Sequence, residues 1–122
     1  MMKVLVPFKR VPDPDTKITI LPNGMEISMQ GVKFVINPLD EITLEESIRI
    51  KERGDATEVT CVTVGGEACI EQIRSALAMG ADCALYVKED CILDPSAIAR
   101  ILRAIVERET PDIVFIYRSS GK

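Results

Sequence analysis

A chain of 122 residues with a formal net charge of −4, 47% hydrophobic and 28% charged, is sized and composed for one folded domain that buries about two-thirds of its unfolded surface. A pI near 4.9 and the lack of any long basic stripe exclude nucleic acid as an expected partner, and no apolar run reaches the ~20 residues of a bilayer span, so no membrane insertion is expected. Zero histidines remove the commonest general base near neutral pH, and Cys61, Cys69, Cys83 and Cys91 match no CxxC pattern, so we expect no metal site and no catalytic triad, only thiols in a reducing, cytoplasmic compartment.

The first element is "KVLVPFKR", Lys3 to Arg10, a continuous apolar run of the kind a strand buried on both faces shows; Lys9 and Arg10 follow it too closely for a signal peptide. "VPDPDT" breaks it with two prolines. Two alternating stretches, Lys17 to Leu21 and Met25 to Met29, flank Pro22-Asn23-Gly24, and Asn-Gly predicts a small β-hairpin after the first strand.

At Asn37 the period changes. Asn37 can cap a helix, Pro38 suits its first position, and Asp40 and Glu41 lie in the first turn, where the helix dipole favours acids. The helix should run from Pro38 to Arg53 and stop at Gly54. Its apolar residues fall into two stripes, Leu39, Ile42 and Ile50 against Leu44 and Ile48, and Glu45 and Arg49 are spaced for an i,i+4 ion pair on a solvated face.

"EVTCVTV" predicts a strand over Glu58 to Val64, Gly65-Gly66 a turn, and "EACIEQIRSALAMG" a helix. Cys83 to Lys88 reads as another strand, Asp94 to Glu109 as a helix capped by Asp94, and Asp112 to Tyr117 as a final strand. This alternation predicts an α/β fold, a Rossmann-like three-layer parallel sheet with helices on both faces.

Ligands in such sheets bind outside the carboxyl ends of strands, here around Pro7, Asn37, Val64 to Gly66 and whatever follows Tyr117. Gly65-Gly66 before a helix suits either a phosphate or a plain turn. No GxGxxG occurs, and the terminal "SSGK" lacks the other residues of a P-loop. Asp13, Asp15, Asp40 and Glu41 could suggest a hard-metal site, but proline turns and a helix start account for them.

Three stretches add a specific resemblance. "KVLVPFKRVPDPDTKI", "VKFVINPLDEITLEESIRIKE" and "IRSALAMGADCALYV" resemble, in order and spacing, the beta subunit of electron transfer flavoprotein. The resemblance implies an adenine-nucleotide-hydrolase-like fold and makes residues 1–122 a single, incomplete nucleotide-binding domain, the N-terminal half of a longer chain. It implies an electron carrier without catalytic residues of its own, paired with an alpha subunit that carries most contacts to FAD and served by flavin dehydrogenases. A bound AMP, or a second FAD in bifurcating relatives, is the implied nucleotide, with contacts on Pro7, on Asn37, Pro38, Leu39 and Asp40, and on Val64.

The family's glycine-led phosphate loop has no counterpart in "YRSSGK", where Tyr117 stands in place of its glycine. A free-standing adenine-nucleotide-binding module without electron transfer is the alternative expectation. An unpaired last strand would favour a homo-oligomer of the isolated chain.

Overall fold

In the computed structural model, residues 2–13, 19–20, 27–28, 33–91 and 93–116 are described. The first apolar run divides in two. β1 (Lys3–Pro7) is the buried strand, with Val4, Leu5 and Val6 at most 1% exposed, whereas β2 (Arg10–Pro12) leaves the sheet. The expectation of one strand to Arg10 is corrected here: Pro7 brings no N–H to a ladder and stands as the last residue of β1.

β3 (Thr19–Ile20) and β4 (Ile27–Ser28) pair antiparallel, Thr19 with Ser28 and Ile20 with Ile27, as the hairpin expectation requires; its Asn23-Gly24 turn lies outside the described residues. β5 (Phe34–Ile36) returns antiparallel to β2, Arg10 facing Ile36 and Pro12 facing Phe34, and Asp13 N–H extends the ladder to Lys33 O at 2.8 Å.

α1 (Pro38–Glu52) begins and ends where its caps dictate. Asn37 Oδ1 accepts from Leu39 N–H at 2.9 Å, and Gly54 adopts φ +87, a left-handed conformation that glycine takes without a Cβ penalty. Leu44 is fully buried, Ile48 packs beside it, and Ile42 is 54% exposed, so two apolar faces exist. Ile50 is the exception: it joins the core rather than the outer stripe. Ser47 is buried because its hydroxyl donates to Thr43 O one turn back, at 2.9 Å. Arg49 bonds Glu46 at 2.6 Å, correcting the expected pairing with Glu45.

β6 (Glu58–Gly65), a 3₁₀ turn (Glu67–Cys69), α2 (Ile70–Met79), β7 (Cys83–Lys88), α3 (Pro95–Glu109) and β8 (Ile113–Val114) complete the chain. β8 is shorter than the strand expected from Asp112 to Tyr117, and Tyr117 lies outside the described residues. The sheet is parallel in the order β7-β6-β1-β8, Val4 facing Val59 and Ile113. Val4, Val6, Val59, Cys61 and Ala84 share one face and form the main core with Leu44, Ile73 and Ala76 of α1 and α2. Leu5, Thr60 and Val62 are buried on the other face, which a right-handed crossover from β7 back to β8 assigns to α3. Asp94 caps α3 through Ala97 N–H at 2.7 Å, but none of its residues is buried.

Two aspartates brace the amino end of the sheet in the same way. Asp82, just before β7, donates its N–H to Val59 O and accepts Val59 N–H on Oδ2, both at 2.8 Å. Asp112, just before β8, donates to Lys3 O at 2.9 Å and accepts Lys3 N–H at 2.8 Å. Each carboxylate therefore extends a ladder by one rung and fixes the register of the strand that follows.

Partial desolvation raises the Asp82 carboxyl pKa, but the hydrogen bond from the Lys51 ammonium, the Val59 N–H and the Lys51 charge outweigh it, leaving the pKa below the ordinary range. The stability this supplies is complete above the unfolded aspartate pKa and is lost as pH falls through the lowered folded value. Asp82→Asn should therefore cost about 1–2 kcal/mol at pH 7 and flatten the acid limb of stability against pH. Urea unfolding at pH 7 and pH 3 measures both; an unchanged acid limb would exclude this brace as its source.

Candidate functional site at the carboxyl end of the sheet

The chain leaves β1 at Pro7 and returns through β5 to start α1, and the backbone of one residue, Lys9, joins the two. Lys9 O accepts Asn37 N–H at 2.8 Å, and Lys9 N–H donates to Asp40 Oδ2 at 3.0 Å. Asn37 O accepts Glu41 N–H at 2.9 Å as the first bond of the helix. Burial pushes the Asp40 carboxyl pKa upward, against the opposing pull of the Lys9 N–H and the Lys9 charge. A desolvated carboxylate thus serves as a structural acceptor at the helix start.

The six positions singled out in the sequence all lie at the carboxyl edge of the sheet, Pro7 and Val64 on the face away from α1. Pro7 ends β1 in register with Val62; Val64 lies two residues further along β6, on the same face of the sheet as Pro7. Asn37, Pro38, Leu39 and Asp40 form the amino terminus of α1, tied to Lys9 only two residues beyond Pro7. The strand order reverses direction between β1 and β8, which places the switch point of the sheet beside Pro7, with Phe115 N–H bonded to Leu5 O at 2.9 Å on its far side.

Asn37 spends one end of its amide on the cap, since Oδ1 takes the Leu39 N–H; that bond does not consume the two N–H donors of the amide. Leu39 N–H is engaged by this cap and the Asp40 carboxylate by Lys9, so the helix start offers few free donors and carries negative charge from Asp40 and Glu41. It suits a neutral donor–acceptor edge and repels a phosphate.

Gly65-Gly66 resolves toward packing. A Cβ on Gly65 would stand 2.5 Å from Cys69 Sγ, and one on Gly66 would stand 3.2 Å from an Asp90 carboxylate oxygen. A side chain at the first would force the buried Cys69 thiol to move, and the second position has an anion where a phosphate would approach. The helix expected directly after the glycines starts instead with a 3₁₀ turn, and α2 has no side-chain cap.

Cys61 and Cys69 are buried, Cys83 and Cys91 exposed, and all four are free. Burial, partly offset by a backbone hydrogen bond, pushes the Cys61 thiol up to about 11, so it stays protonated at neutral pH. Among the described residues no group of three or more metal-ligating side chains comes together, and no helix is long and apolar enough to cross a membrane. Sequence reasoning missed the Lys9 peptide, a backbone contact without a side-chain signature. It also missed Gln72, which is 4% exposed and donates to Phe34 O at 3.2 Å.

Comparison with known proteins gives one consistent result. The electron transfer flavoprotein domain family matches residues 24–121. The chain is similar to electron transfer flavoprotein subunit beta of Bradyrhizobium diazoefficiens, 44% identical over 115 residues covering 94% of this chain and 46% of the relative. It is 43% identical to the mitochondrial subunit beta of Arabidopsis thaliana, with the same coverage, and 40% identical to subunit beta of Homo sapiens over 119 residues, 94% of this chain and 47% of that one. The chain spans about half the length of the curated relatives it matches.

The cap geometry predicts a split between two substitutions. Asn37→Ala removes the Leu39 contact and should lower stability by about 1 kcal/mol, whereas Asn37→Asp keeps an acceptor in place and should leave the melting temperature nearly unchanged. Equal losses in thermal unfolding would show that the amide N–H groups, and not the cap, carry the stabilisation.

Proposed function

Because the chain belongs to the electron transfer flavoprotein family, with beta subunits as its curated relatives, we propose that it is the nucleotide-binding part of such a beta subunit. In this reading it pairs with an FAD-carrying alpha subunit and helps pass electrons from flavin dehydrogenases to an acceptor. The flavin supplies the redox chemistry when bound; the protein's part is to hold and orient. An adenine nucleotide, AMP in the simplest case, sits at the carboxyl edge of β1 and β6 against the start of α1.

The observation that carries the reading is that Pro7 and Val64 stand at the carboxyl ends of neighbouring strands while Lys9 ties the start of α1, Asn37 to Asp40, to the end of β1 beside the switch point. The residues present fit the base better than the phosphate. An adenine edge has one donor and one acceptor side by side, which the Asn37 amide and strand-end backbone can meet. The carboxylates of Asp40 and Glu41 make the same helix start a poor phosphate site despite its dipole.

Calorimetry tests this directly. Adenosine and AMP should bind the chain with affinities within about threefold of each other, a difference below 1 kcal/mol, because the base is what is held. AMP binding with no detectable adenosine binding would overturn the assignment of the base to this edge. Asn37→Asp should weaken both ligands alike while sparing stability.

The pairing has its own readout. Purified alone, the chain should be colourless; mixed with a flavin-loaded alpha subunit of the family, it should co-elute with the flavin absorbance in gel filtration. Stoichiometric flavin on the isolated chain would point instead to a second FAD in place of AMP, and failure to co-elute would remove the pairing. Alone, the open edge of β8 should make the chain self-associate, which light scattering detects as a mass above that of the 13.5 kDa monomer.

A further inference from the structure

Four polar side-chain atoms are buried without a hydrogen-bond partner among the described residues: Arg10 Nε, Thr63 Oγ1, Gln72 Oε1 and Tyr86 OH. They do not lie scattered. Thr63 of β6 faces Tyr86 of β7 in register, so the two hydroxyl-bearing side chains share the face covered by α2. Tyr86 in turn has Cys69 for an electrostatic neighbour, and Cys69 and Gln72, three residues apart, are both buried on the sheet side of α2. Gln72 reaches Phe34 O of β5, and the Arg10 guanidinium lies 3.7 Å over the Phe34 ring. A polar seam therefore runs under the β2–β5 ribbon, walled by α2 and by the carboxyl halves of β6 and β7.

The chemistry of the seam selects its occupant. Phe34 O can only accept, so the Gln72 amide must turn its NH₂ to it, which leaves Oε1, an obligate acceptor, facing the seam. An anion there would meet this lone-pair oxygen; a cation would meet the Arg10 guanidinium. What remains is a neutral species that donates to Gln72 and accepts from Arg10, while either hydroxyl, at 1% exposure for Thr63, adapts to it. Buried polar groups in this position are bridged by internal water of three or so hydrogen bonds.

We propose that the seam is an internal water site, with Thr63 Oγ1, Gln72 Oε1 and Tyr86 OH as its ligands and Arg10 Nε at its rim. The water couples the β2–β5 ribbon to the sheet by a polar bridge. This bridge lies on the opposite face of the sheet from Pro7 and Val64, the face that carries α1.

The test reads the water and the sign of a substitution. In nuclear Overhauser spectra of the full chain, the Thr63 γ-methyl should show contact with a water whose residence exceeds molecular tumbling, and Thr63→Val with Tyr86→Phe should abolish the long-lived signal. Thr63→Val alone should lower the unfolding midpoint, because it strips a ligand from a bound water. A dry seam predicts the reverse, a raised midpoint with no long-lived water in the wild type, and that pair of results overturns the proposal. Should the double variant fail to fold, the wild-type spectrum decides by itself, and a bound solute in place of water also counts against it.

Discussion

The backbone of Lys9 is the joint on which this fold turns. β1 is the central strand, paired on both sides, and the chain must leave it, make the ribbon and hairpin excursion, and return to start the helix that covers β1. Lys9 closes that loop with both of its backbone groups: its carbonyl takes Asn37 N–H and its N–H takes the Asp40 carboxylate. The contact fixes where α1 begins relative to the end of β1. From there Leu44 drops into the core beside Val4 and Val6, and the rest of the sheet is laid against them.

The two ends of the sheet are built by different means. At the amino end, Asp82 and Asp112 continue the ladders with side-chain oxygens, and the register is locked by short, charge-assisted bonds. At the carboxyl end, a proline closes β1, Gly65 closes β6 with Gly66 after it, and polar side chains replace apolar ones between α2 and the sheet. One end is specialised for holding strands together, the other for leaving room beside them. The same division holds across α/β proteins, whose sites lie outside the carboxyl ends of strands.

Most elements were legible because their signals are local. Asn37-Pro38 and Gly54 delimit α1, Asp94-Pro95 starts α3, and the β-branched run after Glu58 makes β6, all within a residue or two of expectation. The division of the first apolar run was not legible, because a strand and a ribbon stem read alike in hydrophobic pattern and only tertiary pairing separates them. The Arg49 partner was misread for a related reason: Glu45 and Glu46 are both within reach on the helix surface, and exposed pairs differ by tenths of a kcal/mol. Of the candidate site, the residue names followed from strand ends and family resemblance. The Lys9 tie and the burial of Gln72 depend on long-range packing and leave no mark in composition or spacing.

The ribbon carries a consequence for how this chain tolerates change. β2 and β5 clasp the two stems of the excursion, with Asp13 N–H on Lys33 O as the outermost rung, and the Lys9 joint lies inside that clasp. Whatever is inserted or removed beyond the outermost rung is thus insulated from the start of α1. The mechanical load of a longer loop falls on the ribbon, and doubling its length adds only about 0.6 kcal/mol of closure entropy. A change of length beyond that rung is therefore absorbed on the far side of the β2–β5 ribbon from the Lys9 joint, and the carboxyl edge of β1 keeps its geometry.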